Sequence, residues 1–346
     1  MSSPSPSPSP DSPSEIVPFI AALPKAELHI HLEGSVDADT LWELATQQRS
    51  PLFAQGRAAV DALYQTSKFS AFLDAFKVVC LHLQTPDDYE LITYRALQRM
   101  AAQNVRYAEI TLSVGVMVWR EQAIDPLFSG VERGARRARR DFAIRAQWIF
   151  DAVRHLPLEQ GWEVARSAAR LTDRGVVGIG IGGNEASGPA ENFGAIFEFA
   201  SQRGLRRVAH AGEAVGPESI WSALRILHAE RIGHGLSAAA DRGLVEQLAQ
   251  SRVPVEICLT SNLRTGGISE ISRHPLRDYF DAGMHVSLHT DDPALFGVDL
   301  NSEYLLAHQV FGFSREELRQ LAVNSFEASF LPPNEQMEFL KELAEH

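Results

Sequence analysis

The chain has 346 residues, 45% hydrophobic and 22% charged, which is ordinary for a globular protein and longer than a typical single domain. Its 32 basic and 44 acidic residues leave a net charge of -12, which argues against a chain-wide attraction to nucleic acid or anionic membrane and makes a small molecule the expected partner. Cys80 and Cys258 are too few for a disulfide framework or a cysteine zinc site, no apolar run reaches membrane-spanning length, and a reducing, cytoplasmic setting is expected; nothing in the sequence reports oligomeric state.

In chain order, Met1 to Ser14 is an alternating Ser-Pro tract without the basic start or apolar core of a signal peptide. It reads as a disordered tail, with the tail expected over residues 1–15 and the folded unit over 16–346. Ala26–Leu32 reads as a strand whose alternation puts His29 and His31 on one face and Leu28, Ile30 and Leu32 on the other. Asp37 to Gln103 reads mostly as helix, with one segment over Asp39–Ala45 and another built on Phe69, Phe72, Leu73 and Phe76 at spacings of three and four. Set into a barrel, this excursion lies over the mouth as a lid; simple core packing of its aromatics is the alternative. Short β-branched runs then alternate with helical stretches: Val105–Ser113, Ile144–Val153, Val176–Gly183, Arg206–Glu213, Glu230–Gly235, Val253–Asn262 and His285–Asp292. With the first strand they predict an α/β fold, a closed (β/α)8 TIM barrel with a helical insertion after the first strand; a doubly wound open sheet is the alternative. The glycines of Gly178–Gly183 do not fit the Gly-x-Gly-x-x-Gly spacing that opens a dinucleotide-binding helix. The arginines between Val131 and Arg140 read as a solvated helix face, and Ser314–Glu345 as helix capped by Ser314.

Barrel enzymes take their catalytic groups from the C-terminal ends of different strands. Here the fifth strand ends in His210-Ala211-Gly212-Glu213, the sixth in Gly233-His234-Gly235 and the eighth in His289-Thr290-Asp291-Asp292. Ionisable groups at several strand ends are costly to bury without a compensating role. Three histidines and one carboxylate suit a zinc-type ion, so His29, His31, His210 and Asp291 form the expected metal set, leaving Glu213, His234 and Asp292 for proton transfer. His82, His155, His228, His274 and His308 read as structural or exposed.

The segments Pro24–Ser35, His210–Glu213, Arg231–Gly235 and Ser287–Pro293 together resemble the adenosine deaminase family of the amidohydrolase superfamily, in the family's order and over nearly the whole chain after the tail. The resemblance implies a barrel holding one zinc ion that hydrolyses the 6-amino group of a purine nucleoside and releases ammonia. On that pattern His29, His31, His210 and Asp291 hold zinc, Glu213 donates a proton to purine N1, and His234 and Asp292 orient and help deprotonate the attacking water. His31, Glu33, Gly183 and Asp292 form the implied substrate-binding set, with Asp292 at N7 and the Gly183 amide at N3. The cytidine-deaminase type of zinc site needs a Pro-Cys-x-x-Cys segment that is absent.

The chain departs from the family pattern in two places. Glu33 stands where an Asp commonly meets the ribose 5′-hydroxyl, and Gly180 where the strand commonly carries an Asp. Members acting on free adenine show Asp-His-Gly in place of Gly233-His234-Gly235, which favours a nucleoside here. Members acting on 6-aminodeoxyfutalosine take a bulky aromatic acid on the 5′ carbon, and Glu33 together with the Ser113–Arg120 segment, which ends in a cation, is compatible with that substrate. An adenosine-type nucleoside is the first expectation and 6-aminodeoxyfutalosine the alternative. A free-adenine deaminase and a non-catalytic binding module rank below both.

Overall fold

The computed structural model describes residues 13–65 and 69–346. The Ser-Pro tract through Ser12 lies outside the described residues, and the chain enters on a helix, Pro13–Ala22, so the last three residues assigned to the tail are helical. Proline at a first helical position is favourable because the amide it lacks has no intrahelical partner there.

Eight parallel strands follow in spatial order one to eight: β1 Lys25–His31, β2 Val105–Leu112, β3 Arg145–Asp151, β4 Val176–Ile181, β5 Arg206–Ala211, β6 Arg231–His234, β7 Val255–Ile257 and β8 Val286–Leu288. A doubly wound sheet would reverse its strand order at a switch point, and this one does not. Its two edges meet where His31 N donates to Asp291 O at 2.8 Å and Asp291 N to His29 O at 3.0 Å. The result is the (β/α)8 barrel expected from the eight runs. The later strands are shorter than those runs: Val253–Asn262 is strand only over Val255–Ile257 and turns into the helix Leu259–Arg264. A short apolar run does not distinguish strand from buried helix.

β1 is not a regular strand. Its register against β2 shifts between Glu27 and Ile30, the mark of a β-bulge. Lys25 and Glu27 share the parity of His29 and His31, yet Lys25 Nζ donates outward to Ile20 O at 2.8 Å and to Leu23 O at 2.6 Å, and Glu27 takes the Thr290 hydroxyl at 2.5 Å. Beyond the bulge the two histidines face the barrel interior. That interior is charged rather than apolar. Arg231 on β6, fully buried, meets Glu109 of β2 at 2.5 Å and Glu256 of β7 at 2.6 Å, while Arg231 donates to Ala328 O at 3.1 Å and Phe330 N to Glu109 at 2.5 Å. The chain after β8 thus closes the bottom of the barrel with its own backbone.

The excursion after β1 is helical over Ala38–Gln48, Pro51–Gln55, Arg57–Leu63, Phe69–His82 and Pro86–Ala102. Asp37 caps the first of these through Thr40 N, and Thr85 with Asp88 forms a capping box on the last. Phe72, Ala75, Leu295 and Phe296 make a small apolar cluster separate from the main core, with Leu73 and Phe76 packed against it. The side chain of Phe69 lies outside the described residues. Near the C-terminal end Ser314 caps Arg315–Glu327 with Glu317 as its reciprocal partner, and Pro333–Ala344 follows. Among the described residues no helix is long and apolar enough to cross a membrane.

Candidate active site

The strand ends bring His29, His31, His210, His234, Asp291 and Asp292 into one cluster at the barrel mouth. His31 Nε2 lies 3.1 Å from His210 Nε2 and 3.2 Å from Asp291 Oδ1, which is itself 3.4 Å from His29 Nε2. Donors on a tetrahedral zinc at about 2.0–2.1 Å stand roughly 3.3 Å apart. His29 Nε2 and His234 Nε2 are buried with no hydrogen-bond partner. Converging nitrogens and a carboxylate of this kind fit a divalent cation. The donor atoms fall into two overlapping groups, His29, His210, His234 and Asp291, and His31, Asp291 and Asp292. Asp291 belongs to both, and the two groups also approach each other through His31 Nε2 and His210 Nε2. His234 and Asp291 adopt left-handed backbone angles, φ 64° and 65°. That conformation costs about 1–3 kcal/mol at a non-glycine residue and collects where function holds a side chain in place.

The electrostatics of the cluster favour a positive charge. Burial lowers the proton affinity of His29, but Asp291 and Glu256 outweigh it and raise the pKa to about 10. For His31 burial is likewise overcome, chiefly by Asp292 and Asp291, to about 9. Burial and the neighbouring histidines push His210 well below its ordinary value and His234 down to about 3. Asp291 is held well below the carboxylate range: burial opposes this, and the close approach of His29 and His31 prevails. Asp292 is driven well above that range by burial and by the charge of Asp291. Behind the donors, Glu256 accepts from His29 Nδ1 at 2.9 Å and Ser261 donates to Asp291 Oδ2 at 2.6 Å. Such partners fix which nitrogen faces a metal. Gly233 makes room for this arrangement, since a Cβ there would lie 2.5 Å from His29 Cε1.

Glu213 sits 3.7 Å from His234 Nε2, and burial, with Asp291 and Glu185 adding their charge, raises its pKa to about 7. Its backbone is held by Glu185, whose carboxylate accepts from the amides of Gly212 at 2.6 Å, Glu213 at 3.1 Å, Ala214 at 2.8 Å and Val215 at 3.2 Å. Sequence reasoning passed over Glu185, Glu256 and Asp151. Asp151 of the neighbouring strand β3 has its Oδ1, buried and unbonded, within 3.7 Å of where a Gly180 Cβ would be.

A cavity of about 610 Å³ opens over the cluster. Its floor is formed by His31, His210, Glu213, His234, Asp291 and Asp292, and its far side by Asp151 and Gly183. The roof comes from the Phe69–His82 helix and the Val114–Trp119 helix, through Phe72, Phe76, Leu81, Val116 and Trp119, with exposed Lys77 at the rim. The aromatics of the excursion thus cover the mouth as a lid would. Glu33 does not line the cavity; it is buried beneath it, accepting from Ser113 N at 3.0 Å. Arg120 is engaged at the C-terminal end of the Phe69–His82 helix, donating to Cys80 O and, at 2.9 Å, to Leu83 O. His155, read as structural or exposed, stands at the cavity wall with Nδ1 accepting from Asn184 N at 3.2 Å.

Residues 24–346 match the family model described as adenosine deaminase. The chain is 38% identical over 323 residues to the aminodeoxyfutalosine deaminase of Streptomyces coelicolor, covering 93% of this chain and 84% of that protein. Among solved structures it is similar to the adenine deaminase from Arthrobacter aurescens, with TM-score 0.88, 31% identity, and 94% and 99% of the two chains covered. An amidohydrolase from Burkholderia ambifaria with bound Zn superposes with TM-score 0.87 at 27% identity, covering 95% of this chain and 91% of that one.

Proposed function

The chain belongs to the adenosine deaminase family, as a metal-dependent aminohydrolase acting on a purine amine, and from that premise we propose that its substrate is a 6-aminopurine nucleoside extended at the 5′ carbon by an apolar, acid-bearing group, of the 6-aminodeoxyfutalosine type. The observation that carries this reading is the roof. Beyond the polar floor the cavity continues between Phe72, Phe76, Leu81, Val116 and Trp119, an apolar vestibule with Lys77 at its edge, and free adenine has nothing to place there. Two features support it. Glu33 accepts Ser113 N through Oε1 and is not among the residues lining the cavity, so it does not present the direct 5′-hydroxyl contact of the family pattern. An Asp in place of Gly233, the pattern of free-adenine enzymes, would collide with His29. Adenosine, which would fill the floor and leave the vestibule empty, is the second reading.

We assign zinc to His29, His31, His210 and Asp291. Bound there, the ion would supply Lewis acidity that makes a water nucleophilic near neutral pH. Asp292, a strong base for a carboxylate because of its burial beside Asp291, takes the water's proton as the oxygen bonds to purine C6. Glu213, with a pKa near 7, gives its proton to N1. The amine then takes the proton from Asp292 and leaves as ammonia, the new hydroxyl returns a proton to Glu213, and the 6-oxopurine remains. Asp292 also meets N7, and the Gly183 amide, at the far wall, meets N3.

The ultraviolet change of zinc-loaded protein given 6-aminodeoxyfutalosine, adenosine and adenine side by side tests the substrate. The proposal expects the highest kcat/KM with the extended nucleoside. A preference for adenosine would replace it with the second reading, and a preference for adenine would remove both.

A further inference from the structure

Asn262 and His274 play no part in the reaction derived above, yet they form a buried line ending on His234. Leu276 N donates to His274 Nδ1 at 3.1 Å, His274 Nε2 lies 3.1 Å from Asn262 Oδ1, and Asn262 Nδ2 lies 3.1 Å from His234 Nδ1. Asn262 and His234 are fully buried and His274 nearly so, with its ring edge-on to Phe311.

The direction of this line is fixed by its far end. A backbone N–H is always a donor, so His274 Nδ1 accepts and the ring's proton is on Nε2. That proton goes to the amide oxygen of Asn262, which leaves the amide NH2 facing His234. His234 Nδ1 therefore accepts. The reversed amide would set its NH2 against His274 Nε2 and demand a proton on His274 Nδ1, where the Leu276 N–H already points. Tautomers and amide orientations follow from the hydrogen-bond network they sit in, and here a main-chain donor settles the network.

We propose that Asn262 and His274 are positioning residues that lock His234 as the Nε2–H tautomer, so that His234 donates a hydrogen bond to the attacking oxygen and leaves Asp292 alone to take the water's proton. Nε2 is the nitrogen on the cluster side, 3.7 Å from Glu213 and without a partner of its own. A nitrogen that already carries its proton cannot accept another. Its role is to support charge building on the oxygen as the bond to C6 forms, which is preorganised electrostatic stabilisation. The inference rests on the deaminase reading of the site and is indifferent to which purine is taken.

The test is a long-range proton–nitrogen correlation spectrum of zinc-loaded protein labelled with nitrogen-15 histidine, with His234 assigned by its loss in His234→Asn. The expected spectrum has the His234 proton on Nε2. Asn262→Asp is nearly isosteric but can only accept from His234, and should move the proton to Nδ1. In that variant kcat should fall about a hundredfold or more, as a wrong tautomer does in a serine protease, with KM and zinc content close to wild type. A wild-type spectrum with the proton on Nδ1 overturns the proposal whether or not the variant folds, and so does an Asn262→Asp protein that keeps the Nε2–H form. Because the tautomer is read without substrate, neither result depends on the substrate assignment.

Discussion

The floor and the roof of the cavity are built on opposite terms. The floor is polar and comes from the strand ends, and several of its groups are oriented by buried partners: Ser261 holds Asp291, Asn262 holds His234, Glu185 holds the loop of Glu213, and Glu256 holds His29 beside them. The roof is apolar and lies on helices outside the barrel, and its Phe72 and Phe76 belong to a small cluster apart from the main core. The floor is fitted for one reaction, whereas the roof can change without disturbing it. Chemistry and substrate choice are thereby separated, and changes to the floor should act on kcat and metal retention while changes to the roof act on KM and on preference between nucleosides.

The sharpest break is in the floor. Glu213→Gln keeps the shape and removes the acid, and kcat should fall about a hundredfold to ten-thousandfold with zinc content unchanged, measured by turnover and metal analysis. Near-normal turnover would take proton donation away from Glu213. One step behind the metal set, Glu256→Gln should weaken zinc about 10–100-fold in chelator competition, because His29 loses the carboxylate that orients it. An unaltered zinc affinity would show that the His29 bond is ornamental to metal binding.

Acidity probes the same region without mutation. The Glu213 pKa is raised from its ordinary 4.5 to about 7, so the proton-bearing form needed for catalysis is present below about pH 7 and lost above it. kcat/KM should decline above that point by about tenfold per pH unit. A flat profile to pH 9 with zinc retained would mean that the acid titrates elsewhere. The smallest effect belongs to the roof: Lys77→Ala should raise KM for the acid-bearing nucleoside about two- to fivefold, the scale of an exposed ion pair, and leave adenosine untouched. Equal losses for the two substrates would deny Lys77 any role in choosing between them.

The floor was legible in the sequence because its donors are chemically conspicuous and its strands end where the polar residues begin. All eight strands and the positions of His29, His31, His210 and Asp291 could be placed this way. The residues behind them could not. Glu256 is one polar residue in a three-residue strand, and Glu185 and Asn262 occur in segments that read as loop or strand end; what marks them is a contact with a residue distant in the chain. The approach of Asp151 to Gly180 is invisible for the same reason, since it joins two strands. His274 in a linker context looked ordinary because nothing local reports its link to His234 through Asn262. The bulge in β1 needs the partner strand to be seen at all. The roof gave the opposite difficulty: Phe72 and Phe76 have the spacing of any buried helix face, and only the tertiary position shows that they cover a mouth.

The closure of the barrel bottom bears on how the enzyme is made. His29 and His31 leave the ribosome early, but Asp291 follows most of the chain, and the backbone of Ala328 and Phe330 that completes the pairing of Arg231 and Glu109, and through them supports Glu256 and His29, comes later still. During vectorial synthesis the N-terminal histidines therefore wait, undirected, for nearly the entire protein. The proposed metal set is therefore complete only after the last segments arrive, although β1 carries two of its three histidines.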